Sequence, residues 1–258
     1  DTSNFNLWMS RGSIFSAKDS ANVNYEIGYD INYESTTGVR IENQRQSIGD
    51  FALFSSAEIT PIKNLVIRLG LRYAYNTAYQ APVIPSINLK KDWGKGYKYT
   101  YTLRASYAKG FRAPQVFSED IHARIAAGEV ALVELADGLE SETSHSFLTS
   151  LDWSKVSPNS EAGLTFEAFY TRLNDPFVLE QLTETIWEKR NGKGADVYGV
   201  NLEAKYAPGQ KWQFQAGATI QKAFYDEAVQ WSENVTNFNR NFFRSPNIYG
   251  NLMATFSP

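Results

Sequence analysis

The chain has 258 residues, enough for one large all-β domain or two ordinary ones. Its 43% hydrophobic content and mean hydropathy of -0.39 argue against a helical membrane protein, since no run approaches the ~18 consecutive apolar residues that a membrane helix needs. A net charge of -3 and a pI near 5.6 leave no basic footprint for nucleic acid, and the lack of cysteine excludes a disulfide framework or thiolate metal site.

None of this excludes a membrane barrel, because half of each barrel strand faces water and dilutes the hydropathy signal. An aromatic content of 14%, with 15 Tyr and 6 Trp, suits interfacial belts and also suits a soluble sandwich with an aromatic core. Asp1 to Arg11 is mostly polar and does not read as a secretion signal, so an exported protein would have a mature or truncated start here.

In chain order, an opening strand is expected near Phe5 to Arg11. Tyr25, Ile27, Tyr29, Ile31 and Tyr33 then alternate with Glu26, Gly28, Asp30 and Asn32. Phe51, Leu53, Ala57 and Ile59 mark a strand that stops at Thr60-Pro61. After a tight turn through Asn64, Ile67, Leu69, Leu71, Tyr73 and Tyr75 oppose Arg68, Gly70 and Arg72. Two arginines on one strand face favour a water-filled lumen over a dry core.

A shorter strand from Pro85 to Lys91 returns through Asp92 to Gly96 into the clearest run, where Tyr99, Tyr101, Leu103, Ala105 and Tyr107 face Thr100, Thr102, Arg104 and Ser106. Further strands follow around Phe147 to Trp153, Leu164 to Tyr170, Val200 to Tyr206, Trp212 to Ile220 and Leu252 to Phe256, roughly eleven in all. Alternation over nine to eleven residues is the length a tilted strand needs to cross a bilayer, whereas sandwich strands average about five or six.

Every second connection is short and built from Pro, Gly, Asn or Lys. The others are long: Glu34 to Ser47, Gly110 to Glu142, Asn174 to Asp196 and Asp226 to Arg244. Short turns at one end and long loops at the other are the layout of an outer-membrane barrel. The fold class expected is all-β, an antiparallel up-and-down transmembrane barrel segment spanning residues 1–258. The Gly110 to Glu142 loop, which lacks alternation, is expected to be exposed unless a short helix forms around Ile125 to Val133.

Tyr107-Ala108-Lys109-Gly110-Phe111-Arg112-Ala113-Pro114 resembles a TonB-dependent outer-membrane receptor at the point where a strand ends and an outside loop begins. The resemblance extends to Leu69 through Tyr73, Leu139 through His145, Tyr198 through Glu203 and Arg244 through Asn247. The form of Gln115 to His122 resembles receptors of the Bacteroidetes.

The resemblance implies a plug domain and a barrel of about 22 strands, so that this chain holds about half the barrel and neither the plug nor the last strands. It also implies a parent that binds and imports a scarce solute such as a siderophore, haem, cobalamin or metal complex. Its partners would be the TonB complex through the plug, outer-membrane lipid and the solute, and it would use no resident cofactor or metal. A passive porin or adhesin barrel, or a soluble all-β binding domain, are the alternatives.

Four residues of the outside loops are candidates for ligand contact. Arg112 either meets ligand or pairs with a loop carboxylate. In haem receptors that resemble this chain a histidine after the Phe-Arg-Ala-Pro motif can ligate iron, which makes His122 a candidate. The companion motif is replaced here by Asp137-Gly138-Leu139-Glu140, however, and an exposed histidine is the plainer reading. Trp187 and Trp231 either stack on a flat ligand or anchor at the interface. Arg68, Arg72, Arg104, Glu58, Glu167, Glu203 and Lys205 are expected in the lumen, as an ion-pair network or as ligand contacts. No nucleophile elbow, zinc-protease motif or phosphate loop is present, so no enzyme is expected.

Overall fold

The computed structural model describes residues 4–16, 22–38, 45–95, 98–114, 132–183, 186–230, 238–242 and 245–257. The main sheet contains β1 (Asn4–Ser16), β2 (Val23–Thr37), β3 (Arg45–Ile62), β4 (Leu65–Asn76), β5 (Val83–Lys95) and β6 (Tyr99–Arg112). It continues, past the short β7 (Leu132–Leu135), with β8 (Glu142–Ser157) and β9 (Ser160–Asn174). After β10 (Phe177–Gln181) and β11 (Ile186–Asn191) come β12 (Gly194–Pro208), β13 (Trp212–Gln230), β14 (Phe238–Asn241) and β15 (Ile248–Phe256). All pairings in the main sheet are antiparallel. Because β14 and β15 pair with the two ends of β13, the sheet has eleven lanes.

The registers place the alternating residues of every strand on two continuous faces. One row across the sheet joins Leu65, Lys91, Leu103, Leu151, Phe166, Leu202 and Ala218, apolar but for the lysine. The neighbouring polar row joins Lys90, Arg104, Ser150, Glu167, Asn201 and Thr219. Exposure is inverted relative to a soluble protein. Leu53, Tyr73 and Tyr75 are 61 to 66% exposed, and Leu252 reaches 82%. Apart from glycines, the buried side chains of the main sheet, among the described residues, all lie on the polar face: Ile48, Ala52, Ala74, Asn76, Ser150, Ala195, Thr219 and Ala223. The polar side is therefore the concave, crowded one, and the apolar side is convex.

Aromatics gather in two belts on the convex face. Tyr73, Tyr107, Phe147, Tyr170 and Tyr198 form the belt nearer the loops, and Trp93, Tyr99, Tyr101, Trp153, Tyr206 and Trp212 the belt nearer the turns. On β12 the belts are the eight residues from Tyr198 to Tyr206 apart, or about 27 Å along the strand and about 20 Å in height at the usual tilt. That matches an apolar bilayer band. Short turns close one end: Asn64 sits in the left-handed region at φ 62° between β3 and β4, and Gly209 at φ 83° between β12 and β13.

The strands are longer than the sequence pattern suggests. β1 runs past Arg11 to Ser16, and β5 spans Val83–Lys95 where Pro85 to Lys91 is the alternating part. β2 and β3 shorten the Glu34 to Ser47 loop, β13 continues to Gln230, and β10, β11 and β14 occupy parts of segments that read as plain loops. Beyond the apolar band both faces of a strand meet water or protein, so the ladder continues after the alternation has faded. In the Gly110 to Glu142 segment, Leu132 and Val133 lie in a strand rather than a helix; residues 115–131 lie outside the described residues.

Cysteine scanning should label Ile67, Leu69, Tyr99, Tyr101, Leu103 and Phe214 with a lipid-soluble reagent in the complete protein, and leave Arg68, Arg72, Arg104 and Gln215 to water-soluble ones. Equal labelling of both sets would contradict the assignment of faces. Taken alone, the 258-residue chain presents unpaired backbone along β1 and along β15 among the described residues. Light scattering should find it associated, or dispersed only in detergent. A monodisperse 29.1 kDa monomer in plain buffer would count against a lipid-facing convex surface.

Candidate ligand-facing rim and lumen

At the loop end, β10, β11 and β7 form a separate three-stranded sheet in which β11 pairs antiparallel with β10 and parallel with β7. This flap is fastened to the barrel rim by a small set of groups. Glu142, at the start of β8, accepts hydrogen bonds from Arg112 Nη2 at 3.1 Å and from the Phe177 backbone N–H at 3.2 Å. Two cations stand over the Phe177 ring, Arg112 at 5.0 Å and Lys189 at 4.9 Å from its centroid. The Asn191 side chain donates to the carbonyls of Glu140 and Asp175 and accepts from the Glu140 N–H.

These contacts decide where the sequence candidates stand. Arg112 has the loop carboxylate as its partner, in register opposite Glu142 at the last rung of β6. Trp187 is a correction: its ring, carried on β11 of the flap itself, is completely buried and has no surface on which a ligand could stack. Its place in a six-residue strand with only partial alternation hid that burial from the sequence. His122 and Trp231 lie outside the described residues, as does Arg244.

Between the flap and the top of β13 is an open cleft of about 280 Å³, lined by Val178, Glu180, Arg190, Tyr225, Glu227, Val229 and Phe238 among others. Of these, Tyr225 stands on the concave face of β13, opposite Ala195. The cleft's charges are matched internally. Arg190 pairs with Glu180, and Lys193 with Glu227 at 2.6 Å. The hydrogen bond that Lys193 donates to the Glu227 carboxylate raises the ammonium's pKa above its ordinary value. None of these cleft residues was a sequence candidate, because the cleft needs two distant segments brought together.

Below the rim, the concave face carries a ladder of ion pairs. Arg72 bridges Asp30 at 2.8 Å and Asp50 at 3.1 Å, tying β4 to β2 and β3. Arg68 meets Glu58 at 3.3 Å, and Arg104 meets Asp152. Asp152 also accepts from Thr165 at 2.7 Å. Glu167 accepts from Asn201 at 2.7 Å, and Asn201 accepts from Thr219 at 2.9 Å. Glu203 stands on the same face, opposite Thr165 and Gly217, and is exposed. The expected lumen set thus shares one face. Within it Arg68 and Glu58 engage each other, whereas Arg72, Arg104 and Glu167 engage other polar side chains of the same face. Solvent-accessible pairs of this kind contribute about 0–1 kcal/mol each, so their effect is mainly positional.

The sequence matches the family model described as TonB dependent receptor-like, beta-barrel, over residues 2–258. The chain belongs to this family. It is a receptor family rather than an enzyme family. No curated protein matches the chain. Among solved structures, the barrel is similar to the siderophore receptor PirA from Pseudomonas aeruginosa, with 18% identity and a TM-score of 0.65 over 90% of this chain and 44% of that one. It is similar to the ferric enterobactin receptor PfeA of the same organism, in complex with enterobactin, with 15% identity and a TM-score of 0.67 over 98% and 40%. The FrpB iron transporter from Neisseria meningitidis gives 13% identity and a TM-score of 0.62 over 86% and 36%. At these identities the likeness is one of fold, and the chain spans less than half the length of each.

Removing Glu142 takes both the Arg112 and Phe177 bonds from the clasp, a loss of about 1–3 kcal/mol, whereas removing Arg112 leaves the Phe177 bond in place. Limited proteolysis should therefore cut the β10–β11 turn faster in Glu142→Ala than in Arg112→Ala, and slowest in the unaltered protein. Equal rates in all three would mean that the flap is held elsewhere.

Proposed function

We propose that this barrel belongs to an outer-membrane receptor that binds a scarce solute at its loop end and imports it with energy delivered by the TonB complex. The carrying observation is the inverted sheet, with a bilayer-high apolar band outside and a charged, braced wall inside. An iron complex heads the candidate solutes, since the similar structures include siderophore receptors and an iron transporter. Haem, cobalamin and other metal complexes share the requirement for active import. Coupling to TonB requires a plug domain in the complete protein, seated against the concave face whose Arg68, Arg72, Arg104, Glu167 and Glu203 offer polar contacts. Arg112 acts at the rim by holding the flap, and His122 and Trp231 are candidates for direct solute contact.

A passive porin would need neither the plug nor the energy source. A soluble all-β domain would not leave Leu53, Tyr73 and Leu252 bare. The origin proposed from the Gln115 to His122 segment is a Bacteroidetes bacterium. Deleting the gene should slow growth when the solute is limiting and supplied as a ferric siderophore, haem or cobalamin, and a plasmid copy should restore it only in cells with working TonB. Unimpaired growth on every one of these sources, or rescue without TonB, would overturn active import.

A further inference from the structure

Many cations on this chain are ion-paired, although Arg11, Lys109, Lys205, Lys222 and Arg240 have no carboxylate within ion-pair distance among the described residues. On the concave face, Lys90 is bound to Asp92 at 3.1 Å, and Arg68, Arg72 and Arg104 each meet a carboxylate. At the loop end, Arg112, Arg172, Arg190 and Lys193 do the same. Four lysines clustered at the turn end lack such a partner as well. Lys63, Lys91, Lys98 and Lys155 occupy neighbouring strands and turns from β4 to β8, and none has a carboxylate within ion-pair distance among the described residues. Lys91 Nζ donates to the Lys63 carbonyl at 3.2 Å, and Lys155 Nζ stands 5.7 Å from the Tyr99 ring centroid. Lys63 and Lys98 are exposed in the turns.

Two of the four are not on the rim at all. Lys91 lies opposite Leu65 and Leu103, and Lys155 opposite Tyr99 and Ala162, so both share the convex, apolar face. They sit within the lower aromatic belt, beside Trp93 stacked on Tyr101 with centroids 5.7 Å apart. A lysine there keeps its stem along apolar surface and lifts its ammonium to the polar boundary. An ammonium is a compact donor suited to phosphate, and rings at the same level suit the region just inside the headgroups.

The geometry points to a site on this sector of the turn end for the phosphate of an anionic phospholipid headgroup. It rests on the membrane-spanning reading given under Proposed function. A soluble anion approaching from below the bilayer would reach Lys63 and Lys98, whereas Lys91 and Lys155 face lipid. Four ammonium groups without carboxylates on adjoining strands concentrate positive charge where such headgroups lie.

The complete protein, placed in nanodiscs holding equal phosphatidylglycerol and phosphatidylcholine, tests this by native mass spectrometry of the lipids it retains on release. The unaltered protein should retain phosphatidylglycerol over phosphatidylcholine by about tenfold. Replacing Lys63, Lys91, Lys98 and Lys155 by Gln should bring the ratio close to one, with the strand signal in circular dichroism unchanged. Lys193→Gln, at the loop end, should leave the enrichment intact. Equal retention by the unaltered protein would overturn the site. So would enrichment that survives in the fourfold variant, or in the pair Lys91→Gln and Lys155→Gln should the fourfold variant not fold. Loss of enrichment in Lys63→Gln with Lys98→Gln alone would assign the charge to a soluble anion instead. Displacement of the lipid by millimolar inorganic phosphate would mark a free-ion site. Failure to enter nanodiscs would overturn the membrane reading itself, an outcome distinct from insertion without lipid preference.

Discussion

A strand cannot satisfy its own backbone. In an apolar medium, where an unpaired N–H or C=O finds no water, each strand depends on its neighbours for all its hydrogen bonds. The continuous antiparallel registers from β1 to β15 meet that demand across eleven lanes. Their two irregularities fall outside the apolar band. One separates Ile59 from Ile62, around Pro61, which has no N–H to offer. The other separates Phe224 from Val229, above the belt that contains Tyr198. Within the band a slip of one residue would put Arg72 into lipid and Tyr73 into the lumen, so every strand's register is tied to the two faces.

The concave wall meets a second demand, to carry charge on a curved surface without leaving it uncompensated. Curvature crowds that side, and small residues occupy it: Ala52, Ala74, Ala195 and Ala223 are all buried there. Gly28 is required by close approach, because a Cβ at that position would collide with the Phe54 ring and the Gly12 carbonyl. Charges are then neutralised between strands, as Arg72 does between β2 and β3. With water present these pairs add little to stability, but they fix which side chains project toward whatever occupies the lumen.

Much of the band was legible in the sequence because its two faces differ so sharply in solvent. Tyr99 to Tyr107 reads as a membrane strand from alternation alone, and Arg68, Arg72, Arg104, Glu167 and Glu203 fall on one face as period two requires. The same logic explains what was not legible. Above the upper belt both faces of β2, β3 and β13 meet polar surroundings, and no alternation marks how far they continue. β7 and β11 pair in parallel across some fifty positions of sequence, from Leu132 to Ile186. No local pattern encodes such a contact, so neither the flap nor the burial of Trp187 could be inferred.

The Gly110 to Pro114 stretch lies where these two regimes meet. Arg112 still obeys the register, opposite Glu142, but it is the last rung. Pro114, whose side chain is fully buried, has no N–H with which to extend the ladder. The same Glu142 that ends the β6–β8 pairing accepts the first N–H of β10, so strand termination and flap attachment share one carboxylate. A motif that both ends a membrane strand and supplies the cation for a rim clasp constrains its arginine through Glu142 and Phe177. That constraint comes from groups within the chain that the register and the flap bring together.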